Sequence, residues 1–366
     1  MKIAMFGHKR IPSREGGIEV VVEQLATRMA ALGHQVTCYN RKPSNHSDAV
    51  PLDEYHGVTL KTVPTLTIKG LAAVTSSFFA AIRCAFSKAK VVHIHAEGPA
   101  AMCWLPKLFG KRVIVTVHGL DWQREKWKDS FGRKYIHLGE KMAVRYADEI
   151  IVLSRNVQKY FMDQYGRRTV WVPNGICEPQ KIGPECLAQF GLEKDEYILF
   201  LGRLVPEKGI HYLIDAYKKL DTHKKLVIAG DASDTTEYGE KLHAMAADDQ
   251  RIVFTGFVQG ELLGSLYSNA YIYVLPSDLE GMPLSLLEAM SFGNCCVVSD
   301  IQECMEVVEE AAVSFHKSDV EELRICLRRL LDEPETVLHY RQGASRFVCD
   351  RYNWERIVDQ TLELYQ

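Results

Sequence analysis

The sequence predicts an α/β protein of two domains with mostly parallel sheets. Its 366 residues are enough for two domains with separate cores. Short apolar runs alternate with helical stretches along the whole chain, the order that lays helices on parallel strands. Between the halves, Pro, Gly and charged residues gather from Pro173-Asn174-Gly175 through Pro184, as in a linker. No short-period repeat is evident.

In the first half, Lys2–Gly7 reads as a strand. Its short apolar run lacks the longer apolar region and small-residue cleavage site of a signal peptide. A polar loop leads to a helix from about Ile18 to Leu32, stopped by Gly33. Gln35–Arg41, Val91–Ala96, Val113–Val117 and Glu149–Leu153 are further strands. Helices are expected near Leu71–Lys88, Tyr135–Tyr146 and Arg155–Tyr165. The second half restarts with Tyr197–Leu201. It continues through Lys225–Ala229, Ile252–Thr255, Tyr271–Leu275 and Cys296–Ser299, with helices between. Tyr352 to Gln366 reads as a final helix. The longest nearly apolar stretch, Gly70 to Ile82, contains Thr and Ser. It falls short of the ~20 residues that span a bilayer, so no integral membrane segment is expected.

Hydrophobic residues make up 47% and charged residues 25%, as in an ordinary soluble enzyme. The net charge of -3 gives no global field to attract nucleic acid. The ten Cys are scattered singly apart from Cys295-Cys296, and no C-x-x-C occurs. They read as reduced core thiols of a cytosolic protein.

Two segments of the second half carry the strongest chemical signal. Leu279-Glu280-Gly281-Met282-Pro283-Leu284-Ser285-Leu286-Leu287-Glu288 follows the apolar run Tyr271–Pro276. A buried strand ends, a Gly-containing loop follows, and a helix starts near Pro283, which suits a first helical turn. Amides at such a helix start receive an anion. Two carboxylates beside an anion site are costly unless the ligand also presents hydroxyls, as a sugar on a nucleotide diphosphate does. The second segment, Gly202-Arg203-Leu204-Val205-Pro206-Glu207-Lys208-Gly209, follows the strand Tyr197–Leu201. Fixed cations there stabilise charge developing on a departing diphosphate. The bland alternative for both is a solvated loop with acidic residues near a helix start.

Together these segments resemble the nucleotide-sugar signature of the family-4 retaining glycosyltransferases, and the resemblance extends over essentially the whole chain. It implies the GT-B architecture: two Rossmann-like domains with parallel sheets facing across a cleft that holds the active site. It implies that Arg203 and Lys208 clamp the donor diphosphate, that Glu280 faces the donor sugar, and that Glu288 takes the ribose hydroxyls. Amides of Gly281, Met282, Leu284 and Ser285 line the same place; Pro283 has none to donate. The family often has a glycine after the last strong strand. This chain has Gln302-Glu303-Cys304 after Ser299-Asp300, so a donor contact from that turn is not carried over.

In the first half, Gly7-His8-Lys9-Arg10-Ile11-Pro12-Ser13-Arg14-Glu15-Gly16-Gly17 separates strand from helix. Gly16 and Gly17 permit close backbone approach to a phosphate or sugar, or form a plain tight turn. A dinucleotide oxidoreductase would instead have G-x-G-x-x-G here. His118 ends a strand on the catalytic edge of the sheet and Asp121 follows. His118 resembles the family's active-site His, and Asp121 is a candidate for orienting the acceptor hydroxyl or taking its proton. His93 and His95 share one face of their strand; His93 reads as a core residue and His95 as a candidate for the acceptor side. Asn174-Gly175 resembles the family's hinge turn, where positive φ suits glycine. His8 to Gly17 and His118-Gly119-Leu120-Asp121-Trp122 resemble bacterial members that build surface polysaccharides.

Two segments mix bases with aromatics: Trp104 to Arg112, and Trp122 to Tyr135 with Arg124, Lys126, Lys128, Arg133 and Lys134 against Glu125 and Asp129. They fit docking on an anionic membrane surface, or an ordinary solvated helix face.

The expected domains are residues 1–176 (acceptor side), 177–350 (donor side) and a tail, 351–366, crossing back to the first. The expected activity is transfer of a sugar from a nucleotide-diphosphate sugar to an acceptor hydroxyl with retention. The acceptor is a glycan or lipid-linked sugar. No cofactor and no metal are expected, the sequence having no D-x-D triplet. The expected place is the cytoplasm, at the inner face of the membrane if docking holds, with no nucleic-acid partner. Rival readings are a nucleotide-sugar epimerase of the same fold, a dehydrogenase, and a non-catalytic sugar-nucleotide-binding scaffold.

Overall fold

The computed structural model describes all residues except 44–51, 67, 69–70, 128–130 and 232–235. The chain divides into two compact units: Met1–Gly175 with Trp354–Gln366, and Ile176–Asn353.

In the first unit, strands and helices follow in the order β1 (Lys2–Phe6), α1 (Gly17–Ala31), β2 (Gln35–Arg41), β3 (Glu54–Tyr55), β4 (Val58–Val63), α2 (Ala72–Ala85) and β5 (Val91–His95). Then come α3 (Glu97–Ala100), α4 (Trp104–Leu108), β6 (Arg112–Val117), α5 (Phe131–Tyr146), β7 (Glu149–Val152), α6 (Arg155–Tyr165) and β8 (Val170–Trp171). The strands form one sheet in the order β3-β4-β2-β1-β5-β6-β7-β8. All pairings are parallel except β3 with β4. Ile3 stands opposite Val36 on one side and Val91 on the other.

The second unit runs β9 (Tyr197–Leu201), α7 (Ile210–Lys218), β10 (Lys225–Ala229), α8 (Thr236–Ala246), β11 (Ile252–Gly256), α9 (Gly260–Asn269), β12 (Ile272–Leu275) and α10 (Leu284–Ser291). It ends with β13 (Cys296–Ser299), α11 (Gln302–Val308), β14 (Val313–Phe315), α12 (Val320–Asp332), α13 (Pro334–Arg341) and α14 (Ala344–Arg351). Its sheet is wholly parallel, in the order β11-β10-β9-β12-β13-β14. Central strands are continuous apolar runs because helices cover both faces; β12 is buried at every position. Helix ends follow local chemistry. The Ser154 side chain caps α6, which stops at Gly166 in the left-handed conformation. Asp319 caps α12 through the Glu321 and Glu322 amides.

The last helix, α15 (Trp354–Glu363), belongs to the first unit and packs on α1. The Arg28 guanidinium lies 5.6 Å from the Trp354 ring centre. Gly175 is needed here for a reason other than positive φ: a Cβ would stand 2.3 Å from the Trp354 ring.

The structure has four strands beyond those expected. β4 alternates buried and exposed residues near the sheet edge, so it shows no continuous apolar run. β3, β8 and β14 have only two or three residues. Helix α5 starts at Phe131, four residues before Tyr135, because its first turn is largely exposed and carries no apolar periodicity. Pro283 precedes α10 in an extended conformation, so the helix begins one residue later. All ten Cys are free thiols; six are buried, but Cys177 is exposed and Cys186, Cys326 and Cys349 are part-exposed, so they are not all core residues.

Candidate active site

In an open α/β sheet, ligands bind beyond the carboxyl ends of the strands where the strand order reverses. In the second unit that point lies between β9 and β12. The loops after these strands carry the two charged segments, and their backbones join: the Asp278 N–H donates to the Glu207 carbonyl at 2.8 Å. Gly209 has φ +64°, and a Cβ there would stand 2.0 Å from the Pro276 oxygen, so only glycine fits. Lys208 Nζ donates to Glu280 Oε1 at 2.6 Å, and the Ser277 hydroxyl donates to the same oxygen at 2.7 Å. The pair is mostly out of solvent, with side-chain exposures of 14% and 8%. One turn into α10, Glu288 Oε2 accepts from the Tyr267 hydroxyl at 3.2 Å. Burial, then the Glu288 carboxylate, pushes that hydroxyl far above its ordinary pKa, so Tyr267 is a neutral donor. Gly281, Met282, Leu284 and Ser285 complete the approach to α10, whose Leu286 and Leu287 amides both donate to the Pro283 carbonyl at 3.2 Å. Arg203 stands two residues past the end of β9 and is part-exposed. The fold therefore brings Arg203, Lys208, Glu280 and Glu288 to one switch point, although 72 residues separate Lys208 from Glu280.

In the first unit the order reverses between β1 and β5. Gly7 has φ +112°, and its Cβ would fall 2.0 Å from the His95 carbonyl oxygen. The following loop is held by side chains the sequence did not mark. Glu19 Oε1 accepts the Lys9 N–H at 2.8 Å, and its other oxygen lies 2.5 Å from where a Gly16 Cβ would be. Asn40 donates to the Ile11 carbonyl and accepts its N–H. That orientation makes Asn40 Oδ1 the acceptor of His8 Nε2 at 2.9 Å, so Nε2 carries a proton. His8 Nδ1 is buried without a partner among the described residues. Burial lowers His8 to about 4, so the ring is neutral at pH 7.

His93 is a satisfied core residue, with Tyr365 Oη and Thr116 Oγ1 each 2.6 Å from its ring nitrogens. His95 is fully buried against it, ring centres 4.2 Å apart. His95 Nδ1 lies 3.1 Å from His118 Nε2, and one of the two nitrogens must donate. His95 Nε2 is buried without a partner among the described residues. Burial is the main force lowering His118 to about 4, and it holds His95 well below its ordinary value. His118 is thus a neutral ring that keeps part of its surface open.

Asp121 is bound at both ends. Its N–H donates to Glu97 Oε2 at 2.8 Å, and its carboxylate pairs with Arg124 at 3.0 Å. Glu97 is buried, and desolvation, then the Asp121 and Glu140 carboxylates, pushes its pKa well up. Glu140 is itself buried and accepts from Tyr165 at 2.6 Å and Tyr160 at 3.1 Å. The mixed basic and aromatic segments are largely tied into this unit. Trp122 stacks 5.0 Å from His137, Lys107 pairs with Asp148, and Arg112 Nε donates to the Leu364 carbonyl. Lys128 and Asp129 lie outside the described residues.

Two doubly wound parallel sheets, with a cation and carboxylate paired at the second switch point, define a nucleotide-binding α/β enzyme of GT-B type. Comparison with known proteins makes the class specific. Residues 15–178 match "Glycosyltransferase Family 4" and residues 186–347 match "Glycosyl transferases group 1". An uncharacterised glycosyltransferase of Methanocaldococcus jannaschii is 26% identical, over 100% of this chain and 98% of its own. Among solved structures, the sucrose-phosphate synthase of Thermosynechococcus elongatus superposes with TM-score 0.84 at 22% identity, covering 100% of this chain and 98% of that one. Anabaena HepE in complex with UDP-glucose gives 0.81 at 19%, covering 99% and 98%. The chain belongs to the family-4 glycosyltransferases. It is a glycosyltransferase.

Proposed function

We propose that this protein is a retaining, metal-independent hexosyltransferase. It moves a sugar from a nucleotide-diphosphate sugar to a hydroxyl of a glycan or lipid-linked sugar, in the synthesis of cell-surface polysaccharide. The observation that carries this is the Lys208–Glu280 pair at the β9/β12 switch point, with Arg203 on the same loop. A diphosphate arriving there offers Lys208 and Arg203 oxygens of full negative charge, stronger partners than a neutral group. Glu280, released from Lys208, accepts from sugar hydroxyls, and Glu288 accepts from the ribose. Amides of Gly281, Met282, Leu284 and Ser285 take remaining donor oxygens. Anabaena HepE, crystallised with UDP-glucose, has the same fold, which supports a nucleotide-sugar donor.

In the reaction, the bond from the anomeric carbon to the diphosphate oxygen breaks and its electron pair stays on the diphosphate. Arg203 and Lys208 stabilise that charge. The acceptor oxygen attacks the same face, and its proton passes to the leaving phosphate. His118 lies against the donor sugar, Asp121 orients the acceptor, and Gly16 and Gly17 allow close backbone approach. The side-chain cations take the place of a bridging metal, consistent with the lack of a D-x-D triplet. No resident cofactor enters this scheme.

A thermal-shift screen against nucleotide sugars and nicotinamide cofactors, without added metal, tests the reading. A rise in melting temperature with one uridine, guanosine or deoxythymidine diphosphate sugar, abolished by Arg203→Ala, is expected. A shift with nicotinamide cofactors alone would overturn it. An isomerised sugar released without acceptor would favour the epimerase.

A further inference from the structure

Helix α2 is inverted relative to a helix on the surface of a water-soluble domain. Such a helix turns large apolar residues inward and polar ones outward. In α2 the inward residues are small: Ser76, Ser77, Ala80, Ala81, Cys84 and Ala85. The outward face carries large apolar residues, with Arg83 exposed at its edge. Phe78 and Phe79 are about two-fifths exposed, Leu71 at the N-cap is similar, and Phe86 at the C-cap is 72% exposed. At 3.6 residues per turn, Leu71, Phe78, Phe79, Ile82 and Phe86 fall within an arc of about 100°. The stripe continues onto α4. The Phe86 ring meets Phe109 edge-on at 4.6 Å, and Leu108 beside it is 69% exposed.

The charge of this region sets it apart. From Tyr55 to Leu120 the sequence has eight Lys and Arg, and its one acidic residue, Glu97, is buried. The chain as a whole carries -3. Lys88 and Lys90, just past Phe86, are exposed, and Lys111 Nζ donates to the Ser87 carbonyl between them and the stripe. A contiguous exposed apolar face marks an interaction site. Large apolar side chains flanked by lysines, in a stretch whose one carboxylate is buried, fit the boundary between acyl chains and anionic headgroups. An acidic protein partner would match the lysines but not a stripe on which the one polar side chain, Thr75, turns its hydroxyl back to the Leu71 carbonyl. No helix among the described residues is long and apolar enough to cross a membrane, so the contact is peripheral.

We propose that the outward face of α2, with Leu108 and Phe109, docks this protein on an anionic lipid surface. The lipid-linked acceptor rests on the transferase reading; the docking face does not. The test is co-sedimentation of the full chain, without donor, with vesicles of phosphatidylglycerol and phosphatidylcholine or of phosphatidylcholine alone. Binding to the anionic vesicles, weakened by salt, is expected. Phe78→Glu with Phe86→Glu should lower binding at least tenfold. Because Lys88→Glu and Lys90→Glu change only exposed groups, they form a second variant, each weakening binding about fivefold. Unchanged melting temperatures show that the variants fold. Failure to bind anionic vesicles, or binding that none of these changes affects, would overturn the proposal. So would a dimer in sedimentation that Phe86→Glu dissociates while vesicles go unbound, which would assign the face to a second copy of the chain. Donor-induced thermal shifts stay unchanged in these variants, so failure of docking and failure of the transferase reading are distinguishable.

Discussion

Both units set their candidate side chains where the sheet order reverses, but with opposite chemistry. At β9 and β12 the groups are ionic and paired, with Lys208 on Glu280 and a tyrosine hydroxyl on Glu288. At β1 and β5 burial disfavours charge on the histidines and on Glu97, while Asp121 stays paired with Arg124. Burial lowers the pKa of His8, His95 and His118, and burial beside two other carboxylates raises that of Glu97. One topology therefore offers a side-chain ion pair in one unit and neutral histidine rings beside buried carboxyl groups in the other. The first suits a diphosphate. The second suits hydroxyls and a sugar ring, which a fixed charge would hold less selectively.

The largest expected effect separates binding from chemistry at the charged site. Lys208→Ala should lower kcat about 100-fold or more, because a developing phosphate charge loses its cation. Glu288→Ala should instead raise the KM for the donor. Steady-state kinetics with the donor found by thermal shift decides this, and equal kinetics for both variants and the parent would break the assignment.

The neutral site should show itself in the pH dependence of stability. His8 and His118 are lowered to about 4 and His93 to about 3, against roughly 6.5 in the unfolded chain. The unfolded chain then binds more protons below pH 6.5. Stability present above that pH is lost as the pH falls toward 4. Glu97 acts the other way: its raised pKa costs stability as pH rises above the ordinary carboxylate range. With three histidines against one glutamate, urea unfolding should give about 2 kcal/mol or more less stability at pH 5 than at pH 7. A flat profile would mean that the histidines are not buried as neutral rings.

A smaller effect sharpens the comparison within the neutral site. His95→Phe keeps a ring against His93 but removes the partner of His118 Nε2. Turnover should fall about tenfold, the net size of one hydrogen bond, with the donor KM little changed. The His118 side-chain nitrogen resonances should shift as its tautomer is released. Unmoved resonances would show that His95 does not set that tautomer.

The charged site was legible in the sequence because its cations and carboxylates stand in short segments directly after strands. Arg203, Lys208, Glu280 and Glu288 stand in two compact motifs. The neutral site was legible only in part. His118 and Asp121 end a recognisable strand, but Glu97 looks like an ordinary helix-start residue, and nothing local shows that Asp121 donates to it or that Glu140 lies beside it. His8 and Asn40 are 32 residues apart, and Glu19 reads as a first-turn helix acid until its contact with Lys9 is seen. The inward Ala and outward Phe of α2 hide in a run that is apolar all round.

The sequence by itself determined the alternation of strands and helices, the central strands and the charged loops. Those follow from periodicity and from residue types acting within a few positions of one another. Tertiary structure alone decided which strand ends are neighbours, which titratable groups lose their charge, and which face of α2 meets solvent. Each depends on burial and on partners distant in sequence. A glutamate at a helix start is a solvated acid or a group that holds its proton to higher pH, according to how much water the fold leaves around it.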